Sequence, residues 1–214
     1  GAHRGGAEAS SGAIAAIVDT LSHNGHHHSW ESALLDAIDK ANASVVSLGI
    51  GAATTLIAIH VNEEGARPFH VGDSSALVVG QRGKLKFQTL SHSPIGYAVE
   101  AGILDEETAI HHEDRNIVSN LLGTEQMHVQ IGGRVGLSRH DTLVLASDGL
   151  FDNMLTDEVN SVIRTGPIDS ALSNLVLRTH ERMLRPEAGD PSKFDDLSII
   201  LFRPKSESQK RAEG

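Results

Sequence analysis

The hydrophobic rhythm of this chain changes once, near Gly51, and that change restricts the folds open to it. Before Gly51, apolar residues recur every three to four positions; after it they fall in short β-branched runs. The spacing predicts a helix over Ala7–Leu21, with Ile14, Ile17, Val18 and Leu21 on one face. HNGHHHS interrupts that pattern, and Ser29 is a suitable N-cap for a second helix. Trp30, Leu34, Ala37, Ile38 and Ala41 share its apolar face. Two amphipathic helices followed by strands predict a helical layer packed on a sheet.

Beyond Gly51, TTLIAIHV, FHVG and SALVVG read as antiparallel strands separated by NEEGARP and GDS, with QRGK as a hairpin turn into KLKFQTL. The segment from Ser91 to Gly123 has little strand character and carries two short helix signals, AVEAG and DEETAI. An excursion of that length inside a compact domain is usually functional. Strands return at MHVQI and at TLVLAS, which runs straight into DGLFDN. Thr156–Arg185 reads as helix broken at Gly166-Pro167, LSIILF as a final buried strand, and residues 205–214 as a charged tail. One α+β domain over residues 1–204, with helices outside antiparallel sheets, is the expectation.

Composition enters by exclusion. With no cysteine there is no disulfide framework, thiolate zinc site or cysteine nucleophile, and a reducing cytoplasm suits the chain. A formal net charge of -10 argues against a nucleic-acid partner, which would need excess Lys and Arg. No apolar run approaches the roughly 20 residues of a membrane span, so no membrane association is expected. An acidic chain still suits a phosphorylated ligand if metal ions supply the positive charge.

Aspartates sit where predicted strands end or begin: Asp73 after FHVG, Asp148 after TLVLAS, and Asp195-Asp196 before LSIILF. A carboxylate at a strand terminus is held rigidly yet reaches solvent, and hard ions such as Mg²⁺ and Mn²⁺ take oxygen ligands of this kind. Gly72 and Gly149 beside them permit close approach of backbone. Taken singly, GDS and SDG are equally good turn formers.

Taken together, the blocks GAATTLIAI, FHVGDSSALVV, HHEDRNIVSNLLG, TLVLASDGLFDNM and FDDLSIILF resemble, in order, the signature blocks of the type 2C (PPM) metal-dependent Ser/Thr protein phosphatases of bacterial type. The resemblance implies an α-β-β-α sandwich of two antiparallel sheets flanked by helices. It implies two core Mn²⁺ or Mg²⁺ ions, with a third, looser ion near Asp73. Asp148 and Asp195 would be catalytic metal ligands, Gly1 would offer a backbone carbonyl, and Asp196 stands where Asn is usual. The family's bridging aspartate would precede Gly1, with the first strands and the Arg that grips phosphate, so the chain resembles an N-terminally incomplete domain.

Other residues follow from the same resemblance. His3 is a candidate general acid, although HRGGAEAS better matches members in which that histidine is structural. Thr54 and Thr55 stand near the metal-bound waters or are strand formers chosen for β propensity. Arg115 and Asn116 orient the flap or the substrate, or Arg115 pairs locally with Glu113 or Asp114. The excursion over Pro94–Ile110, with Glu100, is the candidate for substrate choice. His26–His28 read as a solvated turn, and His111-His112 as caps rather than zinc ligands.

The activity implied is hydrolysis of phosphoserine or phosphothreonine in a phosphoprotein, opposing a Ser/Thr kinase, by a monomeric cytoplasmic enzyme. Two readings compete with it: a catalytically inactive relative that binds partners, and a hydrolase of small phosphate esters.

Overall fold

A computed structural model describes residues 5–23 and 29–204. Helix α1 (Gly6–His23) and helix α2 (Trp30–Val46) precede every strand. Strands β1 (Leu56–Asn62), β2 (Gly65–Val71) and β5 (Gln130–Ile131) form one antiparallel sheet in the order β1-β2-β5. Strands β3 (Ser75–Val79), β4 (Leu85–Gln88), β6 (Thr142–Ala146) and β7 (Ile199–Phe202) form the other, in the order β4-β3-β6-β7. The remaining helices are α3 (Pro94–Glu100), α4 (Glu106–Ile110), α5 (Asp148–Phe151), α6 (Thr156–Ile163) and α7 (Ile168–Leu184), with a 3-10 turn at Glu113–Asn116.

Three apolar layers show how these parts stack. Leu34, Ile38 and Val45 of α2 pack with Leu56, Phe69 and Val71 of the first sheet. Ala76, Val78 and Leu143 fill the space between the sheets with Ile57, Ile59 and Phe87. Leu77, Val79 and Val144 pack outward on Val159, Ile163 and Leu175 of α6 and α7. The expected α-β-β-α sandwich is the architecture observed.

Helix α2 follows its sequence reading: Ser29 Oγ accepts from the Ser32 amide at 3.2 Å, and Leu34, Ala37, Ile38 and Ala41 are buried. Trp30 stacks on His60 with ring centroids 3.3 Å apart. Helix α1 is turned from the expected orientation. Its buried row is Ala9, Ala13, Ile17 and Thr20, while Ile14, Val18 and Leu21 are exposed. Small alanines on both helices permit a close approach, and that geometry selects the alanine row over the bulkier one beside it.

Three strand expectations need correction. NEEGARP is not all turn, because β2 begins at Gly65. Asn62 Oδ1 accepts the Glu64 amide at 3.0 Å, and Gly65 turns at φ +128, where a Cβ would lie 2.2 Å from the Val135 carbonyl oxygen. MHVQI yields only two strand residues, since the Asn120 side chain takes both backbone groups of His128, at 3.2 Å and 2.8 Å. LSIILF is an edge strand rather than a buried one. Ile199 and Leu201 join the outer core, but Ile200 and Phe202 face the inter-sheet side and stay exposed. The broken helix at Gly166-Pro167 and the QRGK turn, with Gly83 at φ +80, match their sequence reading.

Candidate active site

Strand register gathers the three aspartate motifs at one end of the sandwich. Ser75 of β3 pairs with Ala146 of β6, and Ala146 pairs with Ile199 of β7. Asp73 precedes Ser75, Asp148 follows Ala146, and Asp195-Asp196 precede Ile199, so all three leave their strands at the same edge. The GDS turn also carries the chain from β2 of one sheet to β3 of the other. A cleft of about 280 Å³ opens there, lined by Asp73, Asp148, Asp152, Arg115, Glu100 and Thr156 among others.

Each turn is held by specific groups. Gly72 adopts φ +101, and a Cβ there would lie 2.4 Å from the Thr55 side chain. Thr55 Oγ1 and Ser74 Oγ are 2.7 Å apart. His92, fully buried, accepts from the Gly72 amide and from Asn120 Nδ2 at Nδ1 (3.1 and 2.8 Å), which leaves Nε2–H to donate to Gln130 Oε1 at 2.7 Å. Burial lowers the His92 pKa, so the neutral ring that braces the Asp73 turn is the favoured form.

Lys193 Nζ meets Asp148 Oδ2 at 3.0 Å, Asp152 Oδ2 at 2.6 Å and Asp195 Oδ2 at 3.1 Å. Asn153, fully buried, fixes the backbone of that lysine. Its Oδ1 accepts the Lys193 amide at 2.8 Å, and its Nδ2 donates to the Lys193 carbonyl at 2.9 Å. Arg182 in turn donates to the Asn153 carbonyl and to both oxygens of Glu158.

Electrostatics reflect this crowding. Burial first, then the charge of Asp148, pushes the Asp73 carboxyl up to about 6. Burial also raises Asp152, although Lys193 counteracts it. For Asp195, burial is outweighed by the Asp196 amide and Lys193, and the pKa is lowered. Burial opposes the Lys193 charge, but the hydrogen bond and charge of Asp152, then Asp148, hold its pKa above the ordinary range.

One prediction follows from Asp73. Its folded pKa is raised, so its stabilising contribution is complete below its ordinary value of 3.8 and is lost as pH rises through about 6. Asp73→Asn in metal-free buffer therefore raises stability at pH 7 by about 1–3 kcal/mol, or roughly 2–12 °C in Tm. The advantage over the parent shrinks toward zero by pH 4. A Tm difference that stays constant from pH 7 to pH 4 refutes this origin.

The other candidates separate clearly. Glu100 and Arg115 line the cleft, while Asn116 is exposed outside it. The Arg115 guanidinium donates to the Ile110 carbonyl and, at 3.1 Å, to the Ser192 carbonyl, so it ties the excursion to the Lys193 loop. Local pairing with Glu113 or Asp114 is not its role. Thr54 makes a backbone bridge to Leu122, and it is Thr55 that touches the Asp73 turn. His112 caps the 3-10 turn through Nδ1, at 3.1 Å from the Asp114 amide. Gly1, His3 and His26–His28 lie outside the described residues.

Sequence reading missed Asp152, Asn153, Lys193 and His92. Asp152 and Asn153 stood inside the DGLFDN block, but their contacts, like those of Lys193 and His92, reach across 20 or more residues and leave no local signature. Among the described residues, no three His, Asp or Glu side chains form a ready-made metal cage. What converges instead are carboxylate oxygens around one ammonium. That donor chemistry, all hard oxygen about a positive charge, fits a small divalent cation.

Known proteins resemble this chain in sequence and in fold. The family model described as Protein phosphatase 2C matches residues 1–185. Protein phosphatase PhpP of Streptococcus pneumoniae is 29% identical over 152 residues, which cover 71% of this chain and 58% of that protein. The chain spans about half the length of the curated relatives it matches. The Streptococcus agalactiae serine/threonine phosphatase superposes with TM-score 0.74 at 27% identity, covering 85% of this chain and 78% of that one. The catalytic domain of the phosphatase PstP, solved with two manganese ions, gives TM-score 0.72 at 19% identity, covering 94% and 82%. That last likeness concerns the fold alone.

Proposed function

The chain belongs to the protein phosphatase 2C family, and from that premise we propose that it is a metal-dependent hydrolase of phosphoserine and phosphothreonine in proteins. The observation that carries this reading is the meeting of Asp73, Asp148 and Asp152 in one cleft, with Asp195 joined to Asp148 through Lys193. Asp148, Asp195 and Asp73 are the residues we assign to Mn²⁺ or Mg²⁺, with Asp152 as a further carboxylate, and the Gly1 carbonyl keeps its proposed share. Such ions, when bound, lower the pKa of a coordinated water and offset charge on phosphoryl oxygens.

The chain's own groups do the rest. Burial and the neighbouring Asp148 charge disfavour the ionised form of Asp73, and a bound cation would offset both. Neutral His92 keeps the Asp73 turn in register, and Gly149 allows the Asp196 backbone to close on α5. Glu100, on α3 at the cleft mouth, is positioned to favour or reject groups flanking the phosphorylated residue. Asn116 lies away from the cleft and Thr54 is held in its bridge, so substrate orientation falls to Glu100 and the excursion tethered by Arg115. His3 remains the proposed general acid.

In this reading residues 1–204 form one phosphatase domain, acting as a monomer in the cytoplasm against a Ser/Thr kinase. No helix among the described residues is long and apolar enough to cross a membrane. The test is hydrolysis of phosphoserine and phosphothreonine peptides, and of p-nitrophenyl phosphate, by the full-length gene product with Mn²⁺ and with EDTA. Turnover of the peptides that needs Mn²⁺ supports the reading. Turnover unaffected by EDTA overturns it, turnover of the small ester alone makes it an esterase, and no turnover makes it a binding domain.

A further inference from the structure

Lys193 is unusual among the groups at this site because it is a cation in the midst of the carboxylates proposed to hold metal. It contacts Asp148, Asp152 and Asp195 at 2.6–3.1 Å. Its placement is not that of a loose surface lysine. Its side chain is only 21% exposed, and buried Asn153 grips its backbone from both sides. Asn153 is itself held by the Gly149 carbonyl, which accepts from its Nδ2 at 2.9 Å. The neighbouring Ser192 carbonyl takes Arg115 Nη2, and Ser192 Oγ donates to the Arg182 carbonyl. Backbone on both sides of the ammonium is thus anchored to α5, α7 and the excursion.

We propose that Lys193 is a tethered cation that competes with the divalent ion for the carboxylates of Asp148, Asp152 and Asp195, so that metal binding must displace its side chain. The inference rests on the metal-site reading above and adds a regulator to it. The physical basis is simple exclusion. An oxygen that accepts from the ammonium at about 3 Å offers it the same lone pairs a metal ion needs. An ion at the shared centre and an ammonium beside it would also repel at close range. Because Asn153 fixes only the backbone, the four-carbon side chain is free to swing aside while the loop keeps its place. The chain therefore carries its own low-affinity setting: metal occupancy becomes sensitive to the concentration of free Mn²⁺ or Mg²⁺.

The experiment measures metal binding directly, by calorimetry and by electron paramagnetic resonance of free Mn²⁺, on the full chain stripped with EDTA and dialysed. Lys193→Met and Lys193→Gln remove the competing charge, and both are expected to lower the Kd for Mn²⁺ by roughly tenfold or more, as loss of several charge-assisted contacts implies. Lys193→Arg keeps a cation in place and should stay within a few-fold of the parent. Far-UV circular dichroism confirms that each variant is folded, and the glutamine variant serves if methionine impairs folding. Parent and charge-removed variants with equal Kd overturn the proposal, as does weaker binding in both, which would make Lys193 a support of the site. If neither the parent nor any variant binds Mn²⁺, the metal-site reading itself falls, and this inference with it.

Discussion

Asp148→Asn should lower the Mn²⁺-dependent kcat on a phosphopeptide by roughly a thousandfold or more while leaving the fold intact, the size of loss typical when a group acting on the reacting centre is removed. Asp148 leaves the central strand β6 and opens α5, so its position is set by backbone that the substitution does not touch. Asn is isosteric and still accepts from Lys193 through its amide oxygen. The carboxylate is 32% exposed and contributes nothing to an apolar core, so Tm should move by only a few degrees. Loss of its charge also relieves Asp73, which burial and then Asp148 push upward. A stable variant with kcat within tenfold of the parent removes Asp148 from the metal site.

The contrast between that residue and Lys193 shows how far sequence carries here. Asp73, Asp148 and Asp195 were legible because each stands at a strand terminus, and period-two patterns locate strand termini well. Their convergence was legible only through the family resemblance, since register between β3, β6 and β7 is a tertiary fact. Lys193 offers no local pattern that names its role: Asp195 is two residues on, but Asp148 and Asp152 lie more than 40 residues upstream. Helix α1 failed for a different reason. Its bulky row and its alanine row are both credible faces, and the choice belongs to the partner helix rather than to the periodicity. The edge position of β7 was illegible too, as an apolar run has the same appearance whether or not a strand lies opposite it.

Gly149→Ala is a case in which helix propensity and tertiary packing make opposite predictions, and magnitudes decide between them. Gly149 lies in α5, where Ala is intrinsically preferred by about 1 kcal/mol. A Cβ at that position, however, would sit 2.2 Å from the Asp196 carbonyl oxygen and 3.0 Å from its carbonyl carbon. Those are backbone atoms, so relief requires the whole Asp195-Asp196 segment to retreat from α5. Overpacking of this kind costs typically 1–3 kcal/mol, which exceeds the propensity gain. Asp195 moves with its neighbour, and Asp148 immediately precedes the altered residue, so two of the proposed ligands lose their spacing together. The expected result is a lower Tm, a Kd for Mn²⁺ raised at least tenfold and kcat reduced by about a hundredfold, since small misplacements are costly in catalysis. Gly12→Ala supplies the comparison, because that helical glycine has nothing within 4 Å of a new Cβ. There propensity acts unopposed, and stability should rise by about 1 kcal/mol with activity unchanged. If Gly149→Ala behaves as Gly12→Ala does, close contact between α5 and the Asp196 backbone is not what positions Asp195.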